Sequence, residues 1–94
     1  MYVIRNMFVA KPGSAGKLAA QMKEAAAAFE MPNFRVLTDI TGDFNRVVME
    51  YTAESLGEVE KRMQEVMSSS LYKEKMAGYT DLWVTGSREI LRIV

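Results

Sequence analysis

One ten-residue stretch decides the fold of this chain: Gly42-Asp-Phe-Asn-Arg-Val-Val-Met-Glu-Tyr51. Its first four residues are typical of a turn. The six that follow include the β-branched and aromatic side chains typical of a strand, and the predicted strand extends to Thr52. The preceding segment, Phe34 to Thr41, has the same strand-like composition. Two such segments joined by a short turn predict an antiparallel hairpin.

On the N-terminal side of this hairpin the sequence predicts one strand and one helix. Tyr2 to Ala10 is rich in β-branched and aromatic residues and ends at the turn signal Lys11-Pro-Gly13. From Ser14 to Glu30 the apolar residues recur at helical spacing. Ser14 is the predicted N-cap, with its hydroxyl accepting a backbone N–H of the first turn. Pro32 ends the helix, because it disfavours helical angles at the residue before it.

On the C-terminal side a second helix and a last strand are predicted. Ser55-Leu-Gly-Glu58 matches the capping box that opens a helix. A short helix over Leu71 to Ala77 ends at Gly78. The final strand runs from about Asp81 to Val94, with a bend or bulge at Gly86. The order β-α-β-β-α-β predicts a ferredoxin-like α+β fold in a single domain, 1–94, with an antiparallel four-stranded sheet and two main helices on one face.

Composition excludes several classes of function. The 94 residues contain 12 basic and 12 acidic side chains, so nothing in the net charge favours nucleic acid or an anionic membrane as a partner. There is no Cys and no His, which excludes zinc fingers, disulfide scaffolds, Cys nucleophiles and His-based catalysis. We expect no metal site and no cofactor. Arg5 and Asn6 interrupt the apolar N-terminus, so no signal peptide is predicted, and we expect a cytoplasmic protein.

The predicted strands carry apolar side chains on both faces. In the first strand Ile4 and Phe8 mark one face, while Val3, Met7 and Val9 mark the other. Two helices can cover only one face of a sheet, so the second face is either exposed, an aggregation hazard, or covered by a second copy of the chain. We expect a homodimer through this sheet face. The charges along it, Arg5, Arg35, Asp39 and Glu50, then have to pair or reach the rim.

Several motifs resemble a known family. They are Tyr2-Val-Ile-Arg-Asn6, Lys11-Pro-Gly13, Gly42 to Tyr51, and the Ser68-Ser-Ser-Leu-Tyr-Lys73 junction. Together they resemble the NIPSNAP-like proteins of the dimeric α+β barrel superfamily, to which the antibiotic biosynthesis monooxygenase-like domains are related. The resemblance implies a homodimer and a ligand site between helices and sheet. It implies no agreed reaction for NIPSNAP-like members, and cofactor-free oxidation of aromatics or haem degradation for the neighbouring families.

The resemblance also allows candidate site residues to be compared one by one. Asn6 precedes Gly13 by seven residues, a spacing similar to that of the first-strand Asn in the haem-degrading branch. The third-strand Trp of that branch corresponds most nearly to Tyr51, and its axial His has no counterpart here, which argues against haem. A cofactor-free monooxygenase needs only polar groups in a pocket. Asn6, Tyr51 and Trp83 are therefore the ligand-pocket candidates.

Each candidate also has a purely structural interpretation. Asn6 can hold a substrate carbonyl, or it can hydrogen-bond a neighbouring strand. Trp83 and Tyr51 can line a pocket for an aromatic ligand, or simply pack in the core. Glu50 can act as a base if it is buried alone, but Arg5, Arg35 or Arg46 is expected to pair with it.

Two functions remain open. The first is a small homodimer without an assignable reaction, either an accessory protein or one that binds a small hydrophobic ligand between helices and sheet. The second is a cofactor-independent monooxygenase or isomerase acting on an aromatic or polyketide-like molecule. An open cleft that contains Asn6 with Tyr51 or Trp83 favours the enzyme, and a filled cleft favours the accessory protein.

Overall fold

The computed structural model describes residues 1–94 and confirms the predicted order of elements. The strands are β1 (Tyr2–Ala10), β2 (Arg35–Thr38), β3 (Arg46–Ala53) and β4 (Trp83–Arg92), and the helices are α1 (Ala15–Ala28), α2 (Leu56–Ser68) and α3 (Ser70–Lys75). The strands form one antiparallel sheet in the order β2-β3-β1-β4. No helix is long and apolar enough to cross a bilayer.

Both main helices pack on the same face of the sheet. One buried cluster joins Leu18 and Met22 of α1 to Val47 of β3, and a second joins Val59 of α2 to Ile4 and Tyr51 of the central strands. The sheet residues of both clusters have the same orientation, since Ile4 lies directly opposite Tyr51 and successive side chains alternate between faces. The predicted two-helices-on-one-face arrangement is therefore confirmed.

The opposite side of the sheet, which we call the outer face, is covered by no element of the chain. It carries apolar side chains, one row of charges and, separately, Arg46, which pairs with Asp39. The apolar members are Val3, Met7, Val9, Leu37, Val48 and Leu91. The charges, which we call the charge row, are Arg35, Glu50, Arg5 and Glu89, one from each strand in spatial order.

The charge row is held together by short ion pairs. Glu50 Oε1 accepts from Arg35 Nε at 2.8 Å, and Glu50 Oε2 accepts from Arg5 Nε at 2.6 Å. Arg5 also donates to Glu89 at 3.0 Å. Burial raises the pKa of the Glu50 carboxyl, but the hydrogen bonds from Arg35 and Arg5 outweigh it and hold that pKa below its ordinary value. The expected ion pair at Glu50 is confirmed, with Arg46 bound to Asp39 instead.

The helix starts confirm one predicted cap and correct the other. Glu58 N–H donates to Ser55 Oγ at 3.1 Å, as the capping box requires. The Glu58 carboxylate in turn accepts from the backbone N–H of Glu54, one residue before the cap. Ser14 stands at the N-cap of α1, but its hydroxyl makes no capping hydrogen bond. Its φ and ψ of −105° and −6° are not the extended angles that aim a side chain at the first turn.

Two predictions about the strands were wrong, the end of β2 and the position of the bulge in β4. β2 stops at Thr38 rather than Thr41, because the Asp39 carboxylate accepts the backbone N–H of Arg46 at 3.2 Å and opens a longer connection. The irregularity in β4 lies at Val84, since Val9 is opposite Thr85 while Ala10 is opposite Trp83. Gly86 continues the regular pairing.

Gly86 allows close packing against the neighbouring strand and does not bend β4. A Cβ built at this position would lie 3.0 Å from Cδ1 of Phe8 and 3.2 Å from the carbonyl oxygen of Met7. The missing side chain therefore makes room for the Phe8 ring on the neighbouring strand.

Candidate functional site

A cavity of about 160 Å³ lies between the helices and the sheet. It is bordered by β1, β3 and β4 below and by α1, α2 and α3 above. Of the 17 residues that line it, 14 are hydrophobic. The remaining three are Asn6, Arg62 and Arg88. The lining contains no carboxylate, so the charged groups at this site are both positive.

Methionine dominates the walls of the cavity. Six of the eight methionines of the chain line it: Met22, Met31, Met49, Met63, Met67 and Met76. Methionine side chains are unbranched and polarizable, so they adapt to ligands of irregular shape. These six residues are spread along the sequence from Met22 to Met76, and the fold gathers them around one space.

Asn6 and Tyr51, two of the three predicted site residues, lie together in the cavity. Asn6 Oδ1 accepts a hydrogen bond from Arg88 Nε at 2.6 Å, across the β1–β4 pair. Tyr51 is almost fully buried. Burial raises the pKa of its phenol, and the nearby charges of Arg88 and Arg62 act against that rise.

Trp83, the third predicted residue, does not line the cavity. Its ring packs edge-on against Phe8 at 5.3 Å and stacks on Tyr79 at 6.4 Å, measured between ring centroids. Phe8 and Tyr79 line the cavity themselves. Trp83 thus packs against two residues of the cavity wall without lining the cavity itself. This agrees with the interpretation of Trp83 as a core residue rather than a ligand contact.

Tyr72 and the two arginines belong to the site but were not among the predicted candidates. Tyr72 comes from α3, and burial, together with the neighbouring Tyr79 hydroxyl, raises its pKa to about 12. Arg88 donates to Met63 Sδ at 3.4 Å besides its bond to Asn6. Arg62 Nε is buried without a hydrogen-bond partner.

A sequence signal existed for one of the two arginines. Arg62 lies within the apolar stripe of α2, three residues after Val59 and directly before Met63. Arg88 has no such signal. It lies on the edge strand with an exposed side chain, which reaches Asn6 because the two residues lie opposite each other.

Solved structures of low sequence identity share this architecture over nearly the whole chain. A NIPSNAP-like domain protein from Burkholderia xenovorans has a TM-score of 0.86 at 17% identity, covering 99% of this chain and 84% of its own. A NIPSNAP family protein from Agrobacterium tumefaciens has a TM-score of 0.85 at 13% identity, covering 99% and 92%. The chain has the NIPSNAP-like fold.

The NIPSNAP-like fold extends to a further group of structures. A putative antibiotic biosynthesis monooxygenase from Chloroflexus aurantiacus has a TM-score of 0.74 at 18% identity, covering 99% of this chain and 92% of its own. No protein-family model and no curated protein matches the sequence. At these identities the likeness shows the fold alone, so the chemistry of the site has to be argued from its own residues.

Proposed function

We propose that this chain is a homodimeric, NIPSNAP-like protein that binds a small hydrophobic ligand in the cavity between its helices and its sheet. The observation that carries this proposal is the cavity itself, a mainly apolar space whose lining includes six methionines and two cationic side chains. A core packed to ordinary density leaves few voids larger than a water molecule. A space of this size is therefore a feature that a binding function accounts for.

The volume sets the size of the ligand. An apolar cavity of roughly 150 Å³ holds one benzene molecule, whereas pockets for drug-sized ligands measure about 300–1,000 Å³. At about 160 Å³ the cavity accepts one aromatic ring or a short alkyl chain. A polycyclic molecule would require the methionine walls to move.

Methyl NMR of protein with ¹³C-labelled methionine tests ligand binding. 3-Phenylpropanamide, which is neutral and has a single aromatic ring, serves as the probe. We expect the six cavity methionines to shift on titration, while Met1 and Met7 do not, because neither lines the cavity. The absence of shifts at millimolar probe, about the weakest affinity expected for such small ligands, would refute the proposal.

A matched pair of variants links the shifts to the cavity. Ala26 is buried and lines it, whereas Ala27, the next residue of α1, is exposed. Ala26→Leu fills part of the space and should abolish binding. Ala27→Leu should leave binding intact. Equal binding by both variants would place the ligand elsewhere.

The outer face supports the dimeric part of the proposal. Its apolar side chains have no cover within the chain, and a second copy would supply one of the same shape. The charge row contains two positive and two negative groups that already pair with each other. Covering it leaves no charge unpaired, which lowers the desolvation cost of burying such a face.

Light scattering coupled to size exclusion tests the dimer. Leu91 on the outer face and Ile90 on the helix side have nearly equal exposed fractions, 42% and 43%. Leu91→Lys should yield monomers and Ile90→Lys should not. A wild-type monomer at micromolar concentration would overturn this part of the proposal.

The second candidate, a cofactor-independent monooxygenase or isomerase, is favoured by one observation. Asn6 and Tyr51 share an open cavity, an arrangement that can orient a substrate. Removing a proton from the substrate needs a base, however, and the cavity has no carboxylate and no His. The raised pKa values of Tyr51 and Tyr72 keep both phenols protonated near neutral pH, so they can donate a proton but not accept one.

Oxygen consumption distinguishes the two candidates. An electrode records oxygen uptake with a single-ring hydroquinone in the presence of the wild type and of Tyr51→Phe. Binding without reaction predicts the uncatalysed rate for both proteins. Protein-dependent uptake that falls in Tyr51→Phe would favour the enzyme.

A further inference from the structure

The two arginines of the cavity differ from the other four in having neither a carboxylate partner nor a cation–π contact with an aromatic ring. Arg5, Arg35 and Arg46 each contact a carboxylate, and Arg92 lies over the ring of Tyr2 at 5.8 Å. Neither Arg62 nor Arg88 takes part in any salt bridge. Both line the same apolar space.

The hydrogen bonds of these two side chains are also incomplete. A guanidinium has five N–H donors. Arg88 uses one on Asn6 Oδ1 and one on the weak acceptor Met63 Sδ. Arg62 Nε is buried and has no acceptor. A buried donor without a partner is costly, so a ligand atom that accepts a hydrogen bond from Arg62 Nε would stabilise the site.

We propose that Arg62 and Arg88 form the anion-binding end of the cavity, and that the ligand is a small apolar carboxylate whose hydrocarbon part is about the size of one aromatic ring. This inference rests on the proposed ligand-binding function and narrows its ligand class. A carboxylate matches the planar fork of a guanidinium, supplies the acceptor that the buried Arg62 Nε lacks, and can bond the free N–H groups of Arg88, whose side chain is exposed. The apolar part of the ligand then lies against the methionine walls.

The positions of the two arginines suit this division of the ligand. Arg62 comes from α2 and Arg88 from the edge strand β4, so they approach the cavity from the helix layer and from the sheet. Arg88 reaches the sulfur of Met63, the residue after Arg62 on α2, at 3.4 Å, and both guanidiniums line the same cavity. A carboxylate placed there accepts from both elements and joins them.

Two probes of nearly equal shape test the proposal: 3-phenylpropanoate and its neutral analogue 3-phenylpropanamide. Methionine-methyl NMR and calorimetry give the dissociation constant of each. Charge-assisted hydrogen bonds predict that the wild type binds the carboxylate roughly 10–100-fold more tightly than the amide. Raising the salt concentration should reduce this preference and leave amide binding unchanged.

Variants assign the preference to the two arginines. Arg62→Gln and Arg88→Gln should each lower the preference, and the double variant should bind both probes equally. Retained amide binding shows that the cavity of a variant is intact, and Arg62→Gln alone carries the test if Arg88→Gln fails to fold. Lys61→Gln on α2 and Arg92→Gln on β4 remove one positive charge outside the cavity and should keep the wild-type preference.

The outcomes separate this inference from the function on which it rests. If the wild type binds both probes equally, or if the double variant keeps the preference, the anion-binding end is refuted while ligand binding in the cavity stands. If neither probe binds, the proposed ligand-binding function fails and this inference fails with it.

Discussion

Replacing Glu50 with Gln tests how much the charge row contributes to stability. Glu50 is only 5% exposed and accepts from two arginines, so the substitution removes the charge at the centre of the row. Breaking a fully buried ion pair costs about 3–5 kcal/mol and an exposed one at most about 1 kcal/mol. The structure places Glu50 between these limits.

The partners of Glu50 determine where the loss of stability falls between the limits for a buried and an exposed ion pair. Arg5 keeps Glu89 after the substitution, and the side chain of Arg35 is 65% exposed, so water can solvate it. Neither arginine is left buried and alone. Glutamine keeps one acceptor oxygen, so the loss reduces to about one charge-assisted hydrogen bond, roughly 1.5–2 kcal/mol in the free energy of unfolding. For a domain of this size, that lowers Tm by about 6–16 °C.

The pH dependence provides an independent readout. The folded-state pKa of Glu50 is lowered, so its stabilisation is fully present above the pKa of the unfolded chain, about 4.5, and is lost as the pH falls through the folded value. The difference in unfolding free energy between wild type and Glu50→Gln should therefore be constant near neutral pH and shrink below about pH 4.5.

Urea unfolding followed by circular dichroism, at several pH values and protein concentrations, measures these quantities. Several concentrations are needed because dissociation of a dimer would contribute to the apparent stability. Glu89→Gln is the matched control, since Glu89 bonds only Arg5 and lies at the sheet edge with a 39% exposed side chain. If Glu50→Gln costs no more than Glu89→Gln at neutral pH, the interpretation of the charge row is wrong.

Two further predictions compare positions that the sequence alone treats as equivalent. Gly86→Ala should lower stability by about 1–3 kcal/mol, because its Cβ would press on Phe8. Gly16→Ala, in a helix with open space around it, should raise stability by about 0.5–1 kcal/mol. Thermal unfolding of both variants checks this, and a Gly86→Ala variant as stable as the wild type would contradict the packing argument. Ser55→Ala should cost about 1 kcal/mol through its lost cap and Ser14→Ala almost nothing, because only Ser55 accepts a backbone N–H; equal losses in denaturant unfolding would refute the distinction.

The order of elements was predictable because its signals are local. The turn at Gly42 to Asn45, the capping box at Ser55 and the helix stop near Gly78 are all encoded within a few residues. The true end of β2 was not predictable in the same way. It depends on the Asp39 carboxylate reaching the backbone of Arg46, a contact seven residues away that composition does not reveal.

The candidate site was predictable only in part, for a related reason. Asn6 stands out as a polar residue among the apolar residues of one strand face, and Tyr51 as an aromatic residue with a polar tip. Arg88 resembles an ordinary surface charge in the sequence, and Arg62 differs from one only in lying within the apolar stripe of α2. Their significance appears only when the fold shows that no carboxylate reaches them, and such a shortage depends on the whole arrangement rather than on any one segment.

The charge row also has a consequence for strand register. A sheet with one apolar face fixes its register well, because a slip of one residue exchanges buried and exposed side chains. These strands are apolar on both faces, so hydrophobicity penalises a slip less. A slip of β1 by two residues would place Arg5 opposite Val48 or Thr52 and leave Glu50 without it. The four charges therefore help to specify which residues of the strands meet, a choice that the hydrophobic pattern leaves weakly determined.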